Sequence, residues 1–358
     1  MSHTKTQPVF LLGLGGVGRA LARQIVAARA SHLRRHGLRL EVVGVADSRG
    51  LVHAAQGFTD QTLLELIEWK ERGGRFEQAA WPAWPSNCIV VDTTAAESSV
   101  PLLLNVLQSG GGVVLANKLP LAGELSWFDA ISAGRARWET TVGAAMPVIQ
   151  TLNYLLDSGD EVIRIEGALS GTLGFIAAQM ERGLPFGEAV RQAKQRGYTE
   201  PDPRQDLSGK DAARKALILA RMLGYRLNLD DVQIESLYPP EMEPLTVGDF
   251  LREVDALNEP MRRRADELTR DGRALRYAAV IEAGVCRVGL IGAEPNSKLA
   301  RVAASDSVVV FTTRHYQDNP LAISGRGAGQ EVTASGVLGD IVSLAREINQ
   351  PRSAFTNS

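Results

Sequence analysis

The spacing of apolar residues divides this chain into two differently patterned parts. Val9 to Leu12 form a short apolar run that stops at a cluster of glycines. Ala20, Leu21, Ile25 and Val26 then recur at helical spacing. LRLEVVGVAD predicts the next strand, ending in Asp47. CIVVDTTAA and GVVLANKLPLA predict two more, each with its polar residues at the C-terminal end. Strands alternating with helices predict a parallel sheet. Beyond about residue 150 the order changes. EVIRIEGALSG, RYAAVIEAGVCRVGLIGAE, SVVVFTTRH and NPLAISG predict strands, and helices near 174–182, 186–196, 209–224, 247–256 and 260–271 fall between the first two. A run of helices followed by adjacent strands predicts an α+β domain. The final GRGAGQEVTASGVLGDIVSLAREI is a second glycine turn opening a helix, expected to fold back onto the first domain.

The first glycine turn carries chemistry. Gly13, Gly15 and Gly18 form G-x-G-x-x-G between a strand and a helix. In that context the backbone can approach a pyrophosphate at the helix N-terminus. A tight turn without any ligand would use the same glycines. Asp47, at the end of the second strand, suits a ribose hydroxyl, and Arg49 suits a 2′-phosphate, so NAD and NADP both stay open. Ligands meet a parallel sheet at its C-terminal rim. Thr93, Thr94, Asn117 and Lys118 are therefore expected where a nicotinamide and a substrate would meet.

Composition narrows the class. With 358 residues, 44% hydrophobic and 22% charged, the chain has the makings of two globular domains. A net charge of -2 argues against the basic footprint of a nucleic-acid binder. No apolar run reaches the ~18 residues of a membrane helix, and MSHTKTQ lacks the apolar core of a secretory signal, so a cytoplasmic location is expected. Cys88 and Cys286 have neither disulfide nor metal-ligand spacing and are expected as buried structural thiols. Arg262 to Arg264 lie among Glu259, Asp266 and Glu267, which predicts a solvated helix face.

One stretch is unusually polar. GYTEPDPRQDLSGKDAARKAL, Gly197 to Leu217, carries Glu200, Asp202, Asp206, Asp211 and Lys215 beside the rigid Pro201 and Pro203. Ser208 followed by Asp211 resembles a capping box, and Asp211 with Lys215 forms an i,i+4 pair. Helix capping accounts for those residues but not for Glu200, Asp202 and Asp206. A carboxylate and an ammonium near a helix start also suit a substrate with an amine and a carbonyl, and both readings stay open.

Together, GLGGVG, ANKLPLAG, ETTVGAAMPVI, EGALSGTLGFI, GYTEPDPRQDLSGKDAARK and GRGAGQEVTASGVLGDI resemble homoserine dehydrogenases, collinearly and over nearly the whole chain. The Gly-Tyr-Thr-Glu-Pro-Asp-Pro run is the most specific of these. The resemblance implies an α/β Rossmann-type dinucleotide-binding domain, residues 1–148 joined by the C-terminal helix at about 325–358. An α+β substrate-binding, catalytic and dimerisation domain, 149–324, completes it. It implies NAD(P)H-dependent reduction of L-aspartate 4-semialdehyde to L-homoserine, on the route to threonine, methionine and isoleucine, by a homodimer with no nucleic-acid or membrane partner.

The resemblance also implies site residues. Lys215 matches the proton donor to the nascent alkoxide, and Lys118 lies near nicotinamide and substrate. Glu200 and Asp211, supported by Asp206, hold the substrate amine and orient the lysine; Gly171, Thr172 and Tyr198 line its other end. Gly13, Gly15, Gly16, Val17, Gly18, Asp47, Arg49, Thr93, Thr94, Lys118, Gly197 and Gly327 are implied at the cofactor. Glu139, Val142, Ala144 and Met146 match a sodium loop of backbone oxygens. Gln205 stands where the family usually has Asp, and Arg326 where Pro is usual. A free lysine, with pKa ~10.4, is protonated at neutral pH and can stabilise and protonate a developing alkoxide. Two rivals stand beside this reading: another Rossmann dehydrogenase of a small amino-acid aldehyde, and a non-catalytic dinucleotide sensor. Aspartate-semialdehyde dehydrogenase needs a thiol nucleophile, for which neither cysteine has the loop context. The short form, without an appended regulatory domain, is expected to be insensitive to threonine.

Overall fold

The computed structural model describes residues 4–82, 84–85, 87–303 and 306–350, and the chain divides into two compact units, 1–145 with 329–358 and 146–328. In the first unit, β1 (Lys5–Leu12), α1 (Gly16–His36), β2 (Leu38–Ala46) and β3 (Leu51–His53) are followed by α2 (Asp60–Glu71) and β4 (Ile89–Asp92). Next come α3 (Val100–Gln108), β5 (Gly112–Leu115), α4 (Leu119–Ala122), α5 (Leu125–Ser132) and β6 (Ala136–Arg137). The strands form one sheet in the order β3-β2-β1-β4-β5-β6, parallel except where β3 runs against β2. Every residue of β4 and β5 is buried, which explains why both read as unbroken apolar runs.

In the second unit, α6 (Val148–Asp157), β7 (Val162–Ala168), α7 (Gly171–Glu181), α8 (Phe186–Gln195), α9 (Arg204–Leu207) and α10 (Lys210–Met222) come first. Then follow β8 (Gln233–Ile234), α11 (Val247–Glu253), α12 (Asn258–Leu268), β9 (Ala274–Glu282), β10 (Val285–Ala293), β11 (Ser307–Thr313) and β12 (Leu321–Gly325). Its sheet has the order β12-β11-β7-β9-β10-β8, antiparallel except for β8 with β10. The helices α7 and α10 pack on β9, and α10 also on β10. The last helix, α13 (Gln330–Ile348), belongs to the first unit. There Ala334, Val337, Ile341 and Leu344 join Ile25 and Val91 in the core.

The structure corrects two local expectations. RYAAVIEAGVCRVGLIGAE is not one strand but the hairpin β9–β10. Ala283 and Gly284, at φ 49 and 81, make its two-residue turn, whose twist matches the paired strands. Ser208 does not cap α10: the N-cap is Gly209 at φ 70, and a Cβ there would lie 2.1 Å from the Tyr277 hydroxyl. The Ser208 hydroxyl donates instead to the Gln205 carbonyl at 2.8 Å. Among the described residues, no helix is long and apolar enough to cross a membrane.

Candidate active site

The glycine turn between β1 and α1 is built for close approach. A Cβ on Gly18 would lie 2.0 Å from the Gly13 carbonyl oxygen, and one on Gly16 would strike the Gln330 side chain at 2.2 Å. Gly13, at φ 90, takes a backbone conformation other residues avoid, whereas nothing lies within 4 Å of the Cβ direction of Gly15. Val17 packs on the core beneath. The Thr93 hydroxyl donates to the Gly13 carbonyl at 2.8 Å, bracing the turn from the end of β4. The geometry fits a dinucleotide: open space at Gly15, and the start of a 21-residue helix behind it.

At the end of β2, Asp47 accepts the Arg49 N–H at 2.8 Å and the Gly50 N–H at 3.3 Å, and forms an ion pair with Lys70 from α2. Burial pushes the Asp47 carboxyl up, but Lys70 and the two N–H groups outweigh it and hold it below the usual carboxylate range. The Lys70 ammonium also donates to the Gly74 carbonyl at 2.9 Å and lies 4.7 Å from the centre of the Phe76 ring. Sequence reasoning missed this lysine: it stands 23 positions beyond Asp47 on a surface helix, with no local signal. At the neighbouring rim, Thr94 follows β4 and the half-buried Lys118 starts α4, so Thr93, Thr94, Asn117 and Lys118 share one end of the sheet.

In the second unit the polar stretch folds into a cluster. Lys215, at 12% side-chain exposure, lies 2.8 Å from the Asp211 carboxylate one helical turn earlier and donates to the Leu169 carbonyl at 2.7 Å. The Asp206 carboxylate accepts the Glu200 N–H at 2.8 Å, and the single proton of the Thr172 hydroxyl is within reach of both the Asp206 carboxylate and the Tyr198 carbonyl. Burial raises the Asp206 carboxyl above its ordinary value, and the nearby Glu200 and Asp211 charges add to this. Gly171 opens α7 behind the N-cap Ser170. The Tyr198 ring stands edge-on to Phe175 at 5.1 Å, over which Arg196 lies at 5.3 Å.

Asp202 proves to be a brace. Arg204 binds it through two nitrogens and donates to the carbonyls of Met242, Glu243 and Leu245 at 3.0, 2.7 and 2.7 Å. The guanidinium also lies 5.5 Å from the Phe250 ring centre. This clamp holds the loop that presents Glu200 and Asp206. Its receiving carbonyls lie about 40 residues downstream, and no spacing rule would find them.

The remaining expected site residues have local roles. Gly197, at φ 70, ends α8, and a Cβ on Gly327 would lie 1.9 Å from the Ser307 hydroxyl. Glu139 opens a short 3-10 turn of the first unit, Val142 and Ala144 follow it, and Met146 opens the second unit. Gly143 and Ala144 are successive left-handed residues, at φ 86 and 53. The Glu139 N–H donates to Asp340 of α13 at 2.8 Å, and burial pushes the Asp340 carboxyl up to about 7. The thiols of Cys88 and Cys286 are buried, each pushed up to about 12 by that burial. Neither is poised as a nucleophile.

A sheet of the dinucleotide-binding type with its glycine turn, joined to a unit carrying a lysine among carboxylates, is the architecture of the nicotinamide-dependent dehydrogenases. Residues 13–142 match the family described as homoserine dehydrogenase, NAD binding domain, and residues 147–342 match homoserine dehydrogenase. The bifunctional aspartokinase/homoserine dehydrogenase of Haemophilus influenzae is 35% identical over 360 residues, covering 95% of this chain and 43% of that protein. The chain thus spans less than half the length of the curated relatives it matches. Among solved structures, a Candida auris protein of unknown function has a TM-score of 0.84 at 29% identity, covering 96% of this chain and 99% of its own. A hyperthermophilic archaeal homoserine dehydrogenase in complex with NADPH has a TM-score of 0.72 at 26% identity, covering 97% and 99%. The chain belongs to the homoserine dehydrogenase family.

Proposed function

We propose that this protein reduces L-aspartate 4-semialdehyde to L-homoserine with NADPH or NADH, in the supply of threonine, methionine and isoleucine. The observation that carries the reading is Lys215, nearly buried and held by Asp211 and the Leu169 carbonyl beside Glu200, Asp206 and Thr172. When bound, the reduced nicotinamide supplies a hydride to the aldehyde carbon. Lys215 stabilises the oxygen that becomes negative and gives it a proton from Nζ. Asp211 orients Lys215; Glu200 and Asp206 hold the substrate amine; Gly171, Thr172 and Tyr198 line its other end. Lys118 orients nicotinamide and substrate, while Gly197 and Gly327 approach the cofactor.

The glycine turn, Thr93 and Thr94 hold the dinucleotide. NADP use is proposed because Lys70 compensates the Asp47 charge and Arg49 stands two residues beyond it in the same turn. The backbone oxygens of Glu139, Val142, Ala144 and Met146 suit a sodium ion, the strained Ala144 being the residue that turns such a loop. A homodimer is carried over from the family resemblance. A cytoplasmic location is in keeping with the two unpaired buried thiols. A net charge of -2 favours no nucleic-acid partner. Oxidation of NADPH followed on addition of the semialdehyde tests the reaction. No turnover with either cofactor would leave the dinucleotide-sensor reading in its place.

A further inference from the structure

Asp92, the last residue of β4, is fully buried, and the described contacts give its carboxylate three donors. Oδ1 accepts the Thr94 N–H at 2.8 Å. Oδ2 accepts the Ser99 hydroxyl at 2.6 Å and the Asn117 side-chain amide at 3.0 Å. Asn117, itself 3% exposed, spends its NH2 on Asp92 and on the Ala96 carbonyl at 2.9 Å. Its amide oxygen accepts the Leu119 N–H at 3.1 Å. Leu119 is the first residue of α4, and Lys118 is that helix's N-cap. The chain of bonds therefore runs from one strand end, through one amide, to the backbone on either side of Lys118.

We propose that Asp92 is a positioning residue for Lys118 and the Thr93–Thr94 turn. It fixes which way the Asn117 amide points and so holds the end of β5 in one geometry. The inference rests on the proposed dehydrogenase reaction, in which Lys118 orients nicotinamide and substrate. The reason is donor–acceptor arithmetic. A carboxylate at 92 accepts only, so Asn117 must turn its NH2 toward it and its oxygen toward Leu119. An amide at 92 also donates. With its NH2 toward Asn117 it meets donor with donor, or forces Asn117 to flip and leave the Leu119 N–H without its acceptor. With its NH2 toward Thr94 it meets the Thr94 N–H instead, so in either orientation one bond that fixes the two turns is lost. A misplacement of about 1 Å near the chemistry costs on the order of 10²-fold in rate.

The test compares wild type, Asp92→Asn and the exchanged pair Asp92→Asn with Asn117→Asp. In the exchanged pair the new amide at 92 donates to a carboxylate at 117, whose second oxygen accepts the Leu119 N–H, while the Ala96 carbonyl loses its donor, so rescue is partial. Two readouts are taken: steady-state kcat and KM with NADPH and the semialdehyde, and amide hydrogen exchange across 93–99 and 116–122 in the protein alone. In Asp92→Asn, kcat is expected to fall roughly 10²-fold, with KM for NADPH changed less than about threefold, and exchange at Thr94 or Leu119 to quicken at least about tenfold. The exchanged pair should regain about tenfold in kcat and slow the Leu119 exchange again. Exchange unchanged at both Thr94 and Leu119 in Asp92→Asn, or an unchanged kcat, overturns the proposal. The exchange arm needs no substrate. A wild type inactive on the semialdehyde would refute the reaction, while Asp92's hold on the turn would still be decided by exchange.

Discussion

Lys215 Nζ lies 2.8 Å from the Asp211 carboxylate across one turn of α10, and its second partner is the Leu169 carbonyl at 2.7 Å. An exposed i,i+4 pair would contribute little and hold neither group still. Here the lysine is only 12% exposed and gripped from two elements. Lys215→Ala is expected to lower kcat about 10²–10⁴-fold while leaving the dissociation constant for NADPH within about twofold, a difference small on the affinity scale. Turnover above half of wild type would show that the pair is a helix-stabilising contact and nothing more.

Asp206 is expected to trade stability for function. Its folded pKa is raised, first by burial and then by Glu200 and Asp211. The sign follows: a raised carboxyl contributes stability below its unfolded pKa of ~3.9 and loses that contribution as pH rises through the folded value. Asp206→Asn keeps an oxygen for the Glu200 N–H. Its melting temperature should therefore exceed wild type at pH 7 and lose that advantage near pH 3–4. Its kcat/KM should fall about 10–10²-fold, the scale of a lost charged hydrogen bond. Thermal melts over that pH range, with parallel rates, check both halves; a variant less stable than wild type at pH 7 contradicts the assignment.

Cofactor choice should be governed by three side chains together. The Asp47 charge is compensated by Lys70. In Lys70→Ala the carboxylate is released to repel a 2′-phosphate, so KM for NADPH should rise about tenfold more than KM for NADH, a change of ~1.4 kcal/mol. Arg49→Ala should act in the same direction. Equal effects on the two cofactors in both variants would place the phosphate elsewhere.

Arg204 is a stability element with a functional consequence. Arg204→Ala removes donors from three carbonyls and takes the guanidinium from Asp202, leaving it the backbone N–H of residue 204. The expected cost is about 3 kcal/mol, read as a lower denaturant midpoint. Because the same loop carries Glu200, KM for the semialdehyde should rise as well. Unaltered stability would mean that the loop is held by its other ties, the Glu200 N–H on Asp206 and the Lys194 ammonium on the Pro201 carbonyl.

Much of this protein is determined by local sequence. The β1–glycine–α1 unit is specified within about twenty residues, because a strand's apolar run, the turn and a helical stripe are all short-range patterns. The helices α7, α8, α10 and α12 lie within a few residues of where their periodicity places them. Lys215 and Asp211 are legible for the same reason, being one helical turn apart. What the tertiary structure alone decided lies across long sequence gaps. Lys70 reaches Asp47, Arg204 reaches the carbonyls at 242–245, Asp340 caps the turn at Glu139, and Asp92 meets Asn117. Such partners are chosen by which strand ends and helix faces the fold brings together. A side chain's donors and acceptors carry no record of their partner's position in the chain, so composition and periodicity name the polar residues and only the packed core assigns them to one another.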